Sequence, residues 1–410
     1  IAIVQNGDLS EFRGYGLSSV EHEVPVTVRS IFEIGSVTKQ VTAVGIMLLV
    51  EAGRVDLDAP IRTYMKESPI KWDAVTIRHL LTHTSGIRNY TGLPGFELSR
   101  RMNRAALIRE LAKYPLDFAP GEKWSYSNSG YNLLGHIIEQ ASDQTYWEFL
   151  ANAVFKPANM ADTGDRDLQY VIKHRATGYE WTDDSLLGRD YDLTDLFSAG
   201  AMVSSLADLV RWNAALSEID LLQASSMREL WNPVTLNNGG TYPYGFGWYI
   251  ENIRGYRRLR HNGQTAGFSA NYTHYPDQNL SIIVLCNLGT IGLAGDIANG
   301  AAKYYIPGLS LKNAVTIDDV APELTKSLKK LLVDRCNNIL QLEKFTGNAR
   351  KKMIADNAVG VNKRLATYGK PTAFDLIGHE QKESITTRYY RVVIGNKFLV
   401  FRFVATDSGL

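Results

Sequence analysis

Gly35-Ser36-Val37-Thr38-Lys39 sets a hydroxyl and an amine three residues apart. On a helix that spacing brings both side chains to one face, nearly one turn apart. A serine hydroxyl becomes a usable nucleophile when a neighbouring base takes its proton, and a lysine whose charge is disfavoured by burial can be that base. Taken alone, Ser-x-x-Lys also arises by chance on helix surfaces. Further along, Tyr126-Ser127-Asn128 stands in a loop-like stretch ahead of a helical run from Tyr131. A phenol near an ammonium has its ionised form favoured and can relay protons, while the Asn amide can orient a substrate carbonyl or the lysine. The alternative is a helix start capped by Ser129, with Tyr126 merely packed. A third group, His261-Asn262-Gly263, closes a strand-like run and is followed by Gln264-Thr265-Ala266-Gly267. A lone histidine in such a place is more often structural than chemical.

These groups need elements to carry them. The β-branched run at Ile1 to Val4 enters Asn6-Gly7, which predicts a hairpin over residues 1–16. From Ser36 to Gly53 the chain is apolar nearly all round and stops at a glycine, so a buried helix is expected there. Between 57 and 235 helical periodicity recurs at 77–82, 104–113, 131–141, 145–151 and 205–219, separated by Gly/Pro/Asp-rich loops. From Tyr244 the period becomes that of strands, at 244–250, 257–261, 268–275 and 280–286, before a helix at 294–305. This order implies an α/β (α+β) fold: an antiparallel sheet flanked by helices, with an inserted all-helical region. After Pro307 a Lys-rich helix at 324–342, a second helix at 348–368 and three strands from Ala373 predict a small C-terminal α+β domain over 311–410, leaving 1–306 as the first domain.

The three motifs, in this order and context, resemble the serine β-lactamase/penicillin-binding-protein superfamily, whose Ser-x-x-Lys, Ser-Asp-Asn and Lys-Thr-Gly elements carry acyl transfer. With Tyr-x-Asn second and His-x-Gly third, the chain is similar to the class C β-lactamase-like branch of D-Ala-D-Ala carboxypeptidases, D-aminopeptidases and esterases. The likeness spans residues 1–306 and includes Phe32 to Lys39, Ile77 to Ile87, and Ala199-Gly200-Ala201-Met202 ahead of Ser204-Ser205. The resemblance implies an acyl-enzyme on Ser36, proton transfer by Lys39 and Tyr126, and substrate contacts from Asn128, His261 and Gly263. It also implies an oxyanion hole of the Ser36 and Gln264 backbone N–H groups. At His261, β-lactamases of this branch keep lysine. Because histidine titrates near neutrality, a pH-dependent grip on substrate carboxylates is expected, and efficient β-lactam turnover is not. Esterase and D-amino-acid peptidase activity lead, with weak β-lactamase activity third; a catalytically idle binding or scaffold protein is the alternative. The tail resembles small cystatin-like or nuclear-transport-factor-like domains.

Composition narrows the partners. With 44 Lys and Arg against 43 Asp and Glu in 410 residues, the net charge of +1 gives no general footprint for nucleic acid. The longest strongly apolar stretch, Val41 to Val50, falls short of the roughly 18 residues a membrane span needs. Cys286 and Cys336 cannot make a disulfide framework. His79 and His83 are four apart, but no Glu follows His79, so no metal and no cofactor is expected. Arg254, Arg257, Arg258 and Arg260 read as the solvated side of a strand and its turn, with attraction of an acidic substrate as the alternative. The expected partners are a small-molecule or peptide substrate and, through the C-terminal domain, another copy of the chain. The chain opens inside a hairpin without a starter Met and closes on a turn at Thr406 to Gly409. Any targeting segment would lie upstream of Ile1, a further strand is expected downstream, and a periplasmic or secreted location is expected rather than a cytoplasmic one.

Overall fold

Alternation of apolar and polar residues builds a six-stranded antiparallel sheet at the heart of the first of two units. The computed structural model describes residues 1–97, 103–217, 221–339, 341, 365–382 and 385–406. The units are Ile1–Ala302 and Lys303–Leu410. The sheet uses β1 (Ala2–Gln5), β2 (Asp8–Phe12), β3 (Tyr249–Ile253), β4 (Tyr256–Thr265), β5 (Phe268–Tyr275) and β6 (Leu280–Cys286). Their spatial order is β3-β4-β5-β6-β1-β2. The first hairpin turns at Asn6 and Gly7, both at positive φ (53° and 87°), the geometry Asn-Gly supplies without strain. It docks beside β6, with Ala2 opposite Ile283.

Against the sheet lies α1 (Thr38–Glu51), buried on almost every side. Its Val41, Val44 and Met47 share one apolar core with Leu134, Ile137 and Ile138 of α2 (Asn128–Ser142) and with Ile283 of β6. Each such buried aliphatic stabilises the fold by about 1.5–3 kcal/mol, which outweighs the modest helix propensity of a valine-rich segment. α3 (Leu293–Tyr305) follows β6.

Several boundaries differ from those the sequence predicts. Ser36 is not inside the α-helix but in a 3-10 turn, Gly35–Val37, leading into it. β3 begins at Tyr249 rather than Tyr244, because Gly247 takes φ +81° and breaks the extension. β4 continues to Thr265, so His261, Asn262 and Gly263 lie within a strand instead of ending one. The region 57–235 is not all helical. It includes a hairpin, Gly178–Thr182 with Ser185–Arg189, turning on Asp183 and Asp184, and a small sheet in which Met202–Ser205 pairs with Gly164–Asp165 and Ile31–Glu33.

In the second unit α4 (Pro322–Cys336) contributes Leu328, Leu332 and Cys336 to a core shared with Leu376, Tyr390, Val392 and Ile394. The strands are β7 (Pro371–Lys382), β8 (Ile385–Ile394) and β9 (Lys397–Thr406), paired in that order. Residues 365–368 are helical; the rest of the helix expected at 348–368 lies outside the described residues. Among the described residues, no helix is long and apolar enough to cross a membrane.

Candidate active site

Two side chains, Lys39 and Tyr126, hydrogen-bond the Ser36 hydroxyl. Thr38 Oγ1 donates to the Gly35 carbonyl at 2.6 Å and ties down the turn that carries the serine. One residue on, Lys39 is fully buried in the first turn of α1. Its Nζ lies 3.1 Å from Ser36 Oγ, 2.8 Å from Asn128 Oδ1 and 2.7 Å from the Ala199 carbonyl. Burial holds the lysine well below its usual pKa. A neutral amine has two N–H bonds and one lone pair. In that form Asn128 and Ala199, which can only accept here, take the two N–H bonds and the lone pair faces the Ser36 hydroxyl, whereas the charged amine donates to Ser36 Oγ as well. Tyr126 donates its phenol to Ser36 Oγ at 2.7 Å. Contrary to the expectation of a favoured phenolate, burial pushes Tyr126 above its usual pKa, the bond to Ser36 opposing, so it stands as a neutral donor.

Asn128 opens α2 and is itself clamped. Its backbone N–H donates to Asn89 Oδ1 at 3.0 Å, and its Nδ2 donates to Thr91 Oγ1 at 3.1 Å. Both ends of the amide are thereby engaged, which fixes its oxygen on Lys39. Sequence reasoning left Asn89 without a role and missed Thr91, because neither carries a reactive group.

The third wall is the free edge of β4 beyond the reach of β3. A Cβ on Gly263 would sit 1.8 Å from the Ile34 carbonyl oxygen, and one on Gly35 would sit 2.6 Å from Gln264 N. Only glycines let this strand lie against the serine turn, which brings the Gln264 backbone amide beside Gly35 and Ser36. A cavity of about 410 Å³ runs along the edge, bounded by Ser36, Tyr126, Tyr249, Arg260 and His261–Gln264.

His261 borders this cavity, but its ring nitrogens are not free. Its ring centroid is 6.2 Å from that of Tyr126, and its bonds go elsewhere. The Ser127 N–H donates to His83 Nδ1 at 3.2 Å, so His83 Nε2 carries the proton and donates to Tyr244 Oη at 3.2 Å. The Tyr244 hydroxyl then donates to His261 Nε2 at 3.1 Å, and His261 Nδ1–H donates to the Asn262 carbonyl at 2.7 Å. His83, Tyr244 and His261 are each almost wholly buried. Burial, with the Lys39 charge in second place, pushes His261 down to about 3, far from a neutral-pH switch. His83 is depressed in the same way. His79, its neighbour in sequence, closes a helix capping box with Thr76. Among the described residues no group of three or more His, Cys, Asp or Glu gathers to hold a metal.

Of the four arginines, Arg254 and Arg257 are exposed, as a solvated strand and turn would have them, but Arg258 is not. Arg258 is 8% exposed and is no solvated side chain. It binds Glu251 and Asn299, while Arg260 binds Glu251 from the cavity side.

A buried Ser-x-x-Lys helix packed on an antiparallel sheet defines a serine hydrolase of the β-lactamase and penicillin-binding-protein fold. Residues 1–302 match the beta-lactamase family, and the chain belongs to it. Penicillin-binding protein 4* of Bacillus subtilis (strain 168) is 32% identical over 307 residues, 70% of this chain and 67% of that protein. The chain spans 59% to 67% of the length of the curated relatives it matches. Among solved structures, D-amino acid amidase from Ochrobactrum anthropi SV3 is 25% identical with a TM-score of 0.65, covering 75% of this chain and 92% of its own. The octameric penicillin-binding protein homologue from Pyrococcus abyssi is 21% identical with a TM-score of 0.67 and covers 99% of this chain and 92% of its own, a likeness of fold.

Proposed function

We propose that the chain hydrolyses esters or amides through an acyl-enzyme on Ser36, as an esterase or D-amino-acid peptidase of the class C β-lactamase-like branch. The observation that carries this reading is the buried Lys39 amine, whose lone pair is left to the Ser36 hydroxyl by its two other partners. In the proposed reaction Lys39 takes the Ser36 proton as Oγ bonds to the substrate carbonyl carbon. The oxyanion is met by the Ser36 and Gln264 N–H groups, where one donor is worth about 2.7–4 kcal/mol. The Tyr126–Lys39 pair protonates the departing group, and a water activated by the same pair releases the acyl group. Asn128 orients Lys39, and Gly263 admits the strand that flanks the substrate. A neutral His261 in the third motif supports turnover of esters and peptides over that of β-lactams. The amidase relative supports D-amino acid derivatives among the substrates, and the Pyrococcus abyssi homologue, described as octameric, supports self-association. An extracytoplasmic location belongs to the same proposal. The test is Ser36→Ala: it should abolish both adduct formation with a fluorescent phosphonate, read by intact mass, and turnover of a p-nitrophenyl ester. A mutant that keeps more than a few per cent of the wild-type rate while folded removes Ser36 as the nucleophile.

A further inference from the structure

The two N–H groups read as the oxyanion hole come from separate pieces of chain. Ser36 follows the strand Ile31–Glu33, which pairs with Met202–Ser205 in the small sheet, whereas Gln264 lies near the end of β4 in the six-stranded sheet. Gly35 and Gly263 let the two pieces touch, since a Cβ on either would collide with the other piece. Glycines bring no side chain to lock that contact. Among the described residues a single hydrogen bond joins residues 31–37 to residues 261–266: Thr265 Oγ1 donates to Glu33 Oε2 at 2.7 Å. Its two ends flank the two donors, Thr265 directly after Gln264 and Glu33 shortly before Ser36.

Glu33 is itself held from behind. It is 4% exposed, and its other oxygen, Oε1, accepts from Arg166 Nε at 3.0 Å. Arg166 is 2% exposed and also donates through Nη2 to Asp190, which accepts from Arg175 Nη1 at 2.9 Å and Nη2 at 3.1 Å. Two guanidinium ions and two carboxylates thus alternate from the surface at Arg175 inward to Glu33. A carboxylate suits the inner end, because it only accepts and has one oxygen for each partner. Burying such a chain gains little stability over apolar packing of the same shape. It does fix where one oxygen points. Neither Glu33 nor Thr265 borders the cavity at Ser36, so their effect passes through the backbone they hold.

We propose that Glu33 is a positioning residue of the reaction: anchored by Arg166, it holds Thr265 and so sets the spacing between the Ser36 and Gln264 N–H groups. The inference rests on the reading of Ser36 as the nucleophile and of these amides as its oxyanion hole. Donors of this kind work within about 2.7–3.1 Å of the oxyanion, so a small shift of β4 weakens transition-state binding without touching Lys39, Tyr126 or Asn128.

The test uses Thr265→Val, which keeps the side-chain shape, removes the hydroxyl and leaves the pairing of Glu33 with Arg166 intact. Two substrates are compared, p-nitrophenyl butyrate and its thiono analogue, in which sulfur replaces the carbonyl oxygen. Sulfur is larger and a weaker acceptor, so the ester depends more than the thionoester on a well-set oxyanion hole. In Thr265→Val the kcat/KM ratio of ester to thionoester should fall about tenfold, part of the roughly 10²–10³-fold that a whole donor contributes. Thr265→Ser, which restores the hydroxyl, should keep the wild-type ratio. Because Glu33 and Thr265 are the two ends of one bond, adding Thr265→Val to Glu33→Ala should lower the ratio no further than Glu33→Ala alone. A purely structural weakening would slow both substrates alike, so an unchanged ratio in Thr265→Val overturns the proposal, as does an equal fall in Thr265→Ser or an additive fall in the double mutant. Hydrogen exchange needs no turnover: the amides of residues 261–266 should exchange faster in Thr265→Val than in wild type, and equal rates overturn the brace. If the wild type cleaves neither substrate, faster exchange leaves the brace standing and overturns the hydrolase reading instead.

Discussion

Lys39 is the group on which the chemistry turns, because it must lose its proton before it can accept one, and burial favours that loss by holding its pKa well below the usual lysine value. Its depressed pKa carries a sign: the rate should rise with pH as the amine deprotonates and be complete well below 10.5. Lys39→Ala and Tyr126→Phe should each slow acylation, by about 10²–10⁴-fold. Because the two groups share one proton path, the double mutant should be little worse than the poorer single in stopped-flow labelling, whereas additive losses would mean separate tasks. His261, held at about 3, stays neutral from pH 5.5 to 8.5, so the preference between charged and neutral esters should not follow its titration over that range. A ratio that falls through a midpoint near 6.5 would return the charge role to His261. Ser36, Lys39 and Tyr126 were legible because each carries a reactive group in a recognisable spacing. His83 and Tyr244 were not. They meet across 161 residues of chain, and what joins them to His261 is a shared burial that no local pattern encodes.

The elements that hold these groups depend on close backbone approach. Gly263→Ala would drive a methyl group into the Ile34 carbonyl and push β4 off the serine turn, moving the Gln264 amide with it. A stability loss of about 1–3 kcal/mol is expected in urea titrations. Phosphonate labelling should slow by roughly 10²-fold, the scale of a misplacement of about 1 Å. Wild-type labelling in a folded Gly263→Ala protein would mean that the strand does not supply the oxyanion donor. Two strands bounded by turn residues, the β-branched Leu280–Cys286 and the aromatic-rich Phe268–Tyr275, were readable to the residue. The hairpin at Gly178–Thr182 was hidden because its turn is Asp183-Asp184 rather than Asn-Gly, and helices surround it in sequence. Tyr244 resembles a strand start by residue type, yet it is a buried hub whose neighbours Gly245 and Gly247 bend the chain.

For the whole molecule the buried imidazoles matter more than the balanced surface charge. Burial depresses His83, His261 (to about 3) and His274 (to about 4), so below the unfolded value near 6.5 the unfolded chain binds more protons than the folded one. Stability is then whole above about pH 6.5 and falls as the pH drops toward 4, each site adding a slope approaching 1.4 kcal/mol per pH unit. Glu33 and Asp165, both raised by burial, act in the opposite sense but are fewer. The urea midpoint should accordingly be lower at pH 5 than at pH 7.5, and equal midpoints would refute the burial argument. A chain ended after Ile306 should stay soluble and cleave a small neutral ester, since the motifs and their core lie in the first unit; an insoluble or inactive product would make the second unit part of the first. The shift in composition after Pro307 made the second unit legible, and the order read there, helix first and three strands last, is the order among the described residues. The pairing of Ala2 with Ile283 also bears on how the protein is made. On a ribosome the first hairpin emerges long before β6, the strand it docks beside, and must wait with that edge unpaired while nearly the whole unit is synthesised. Folding should therefore be late, slow and of high contact order, and that waiting edge is where a chaperone would earn its keep.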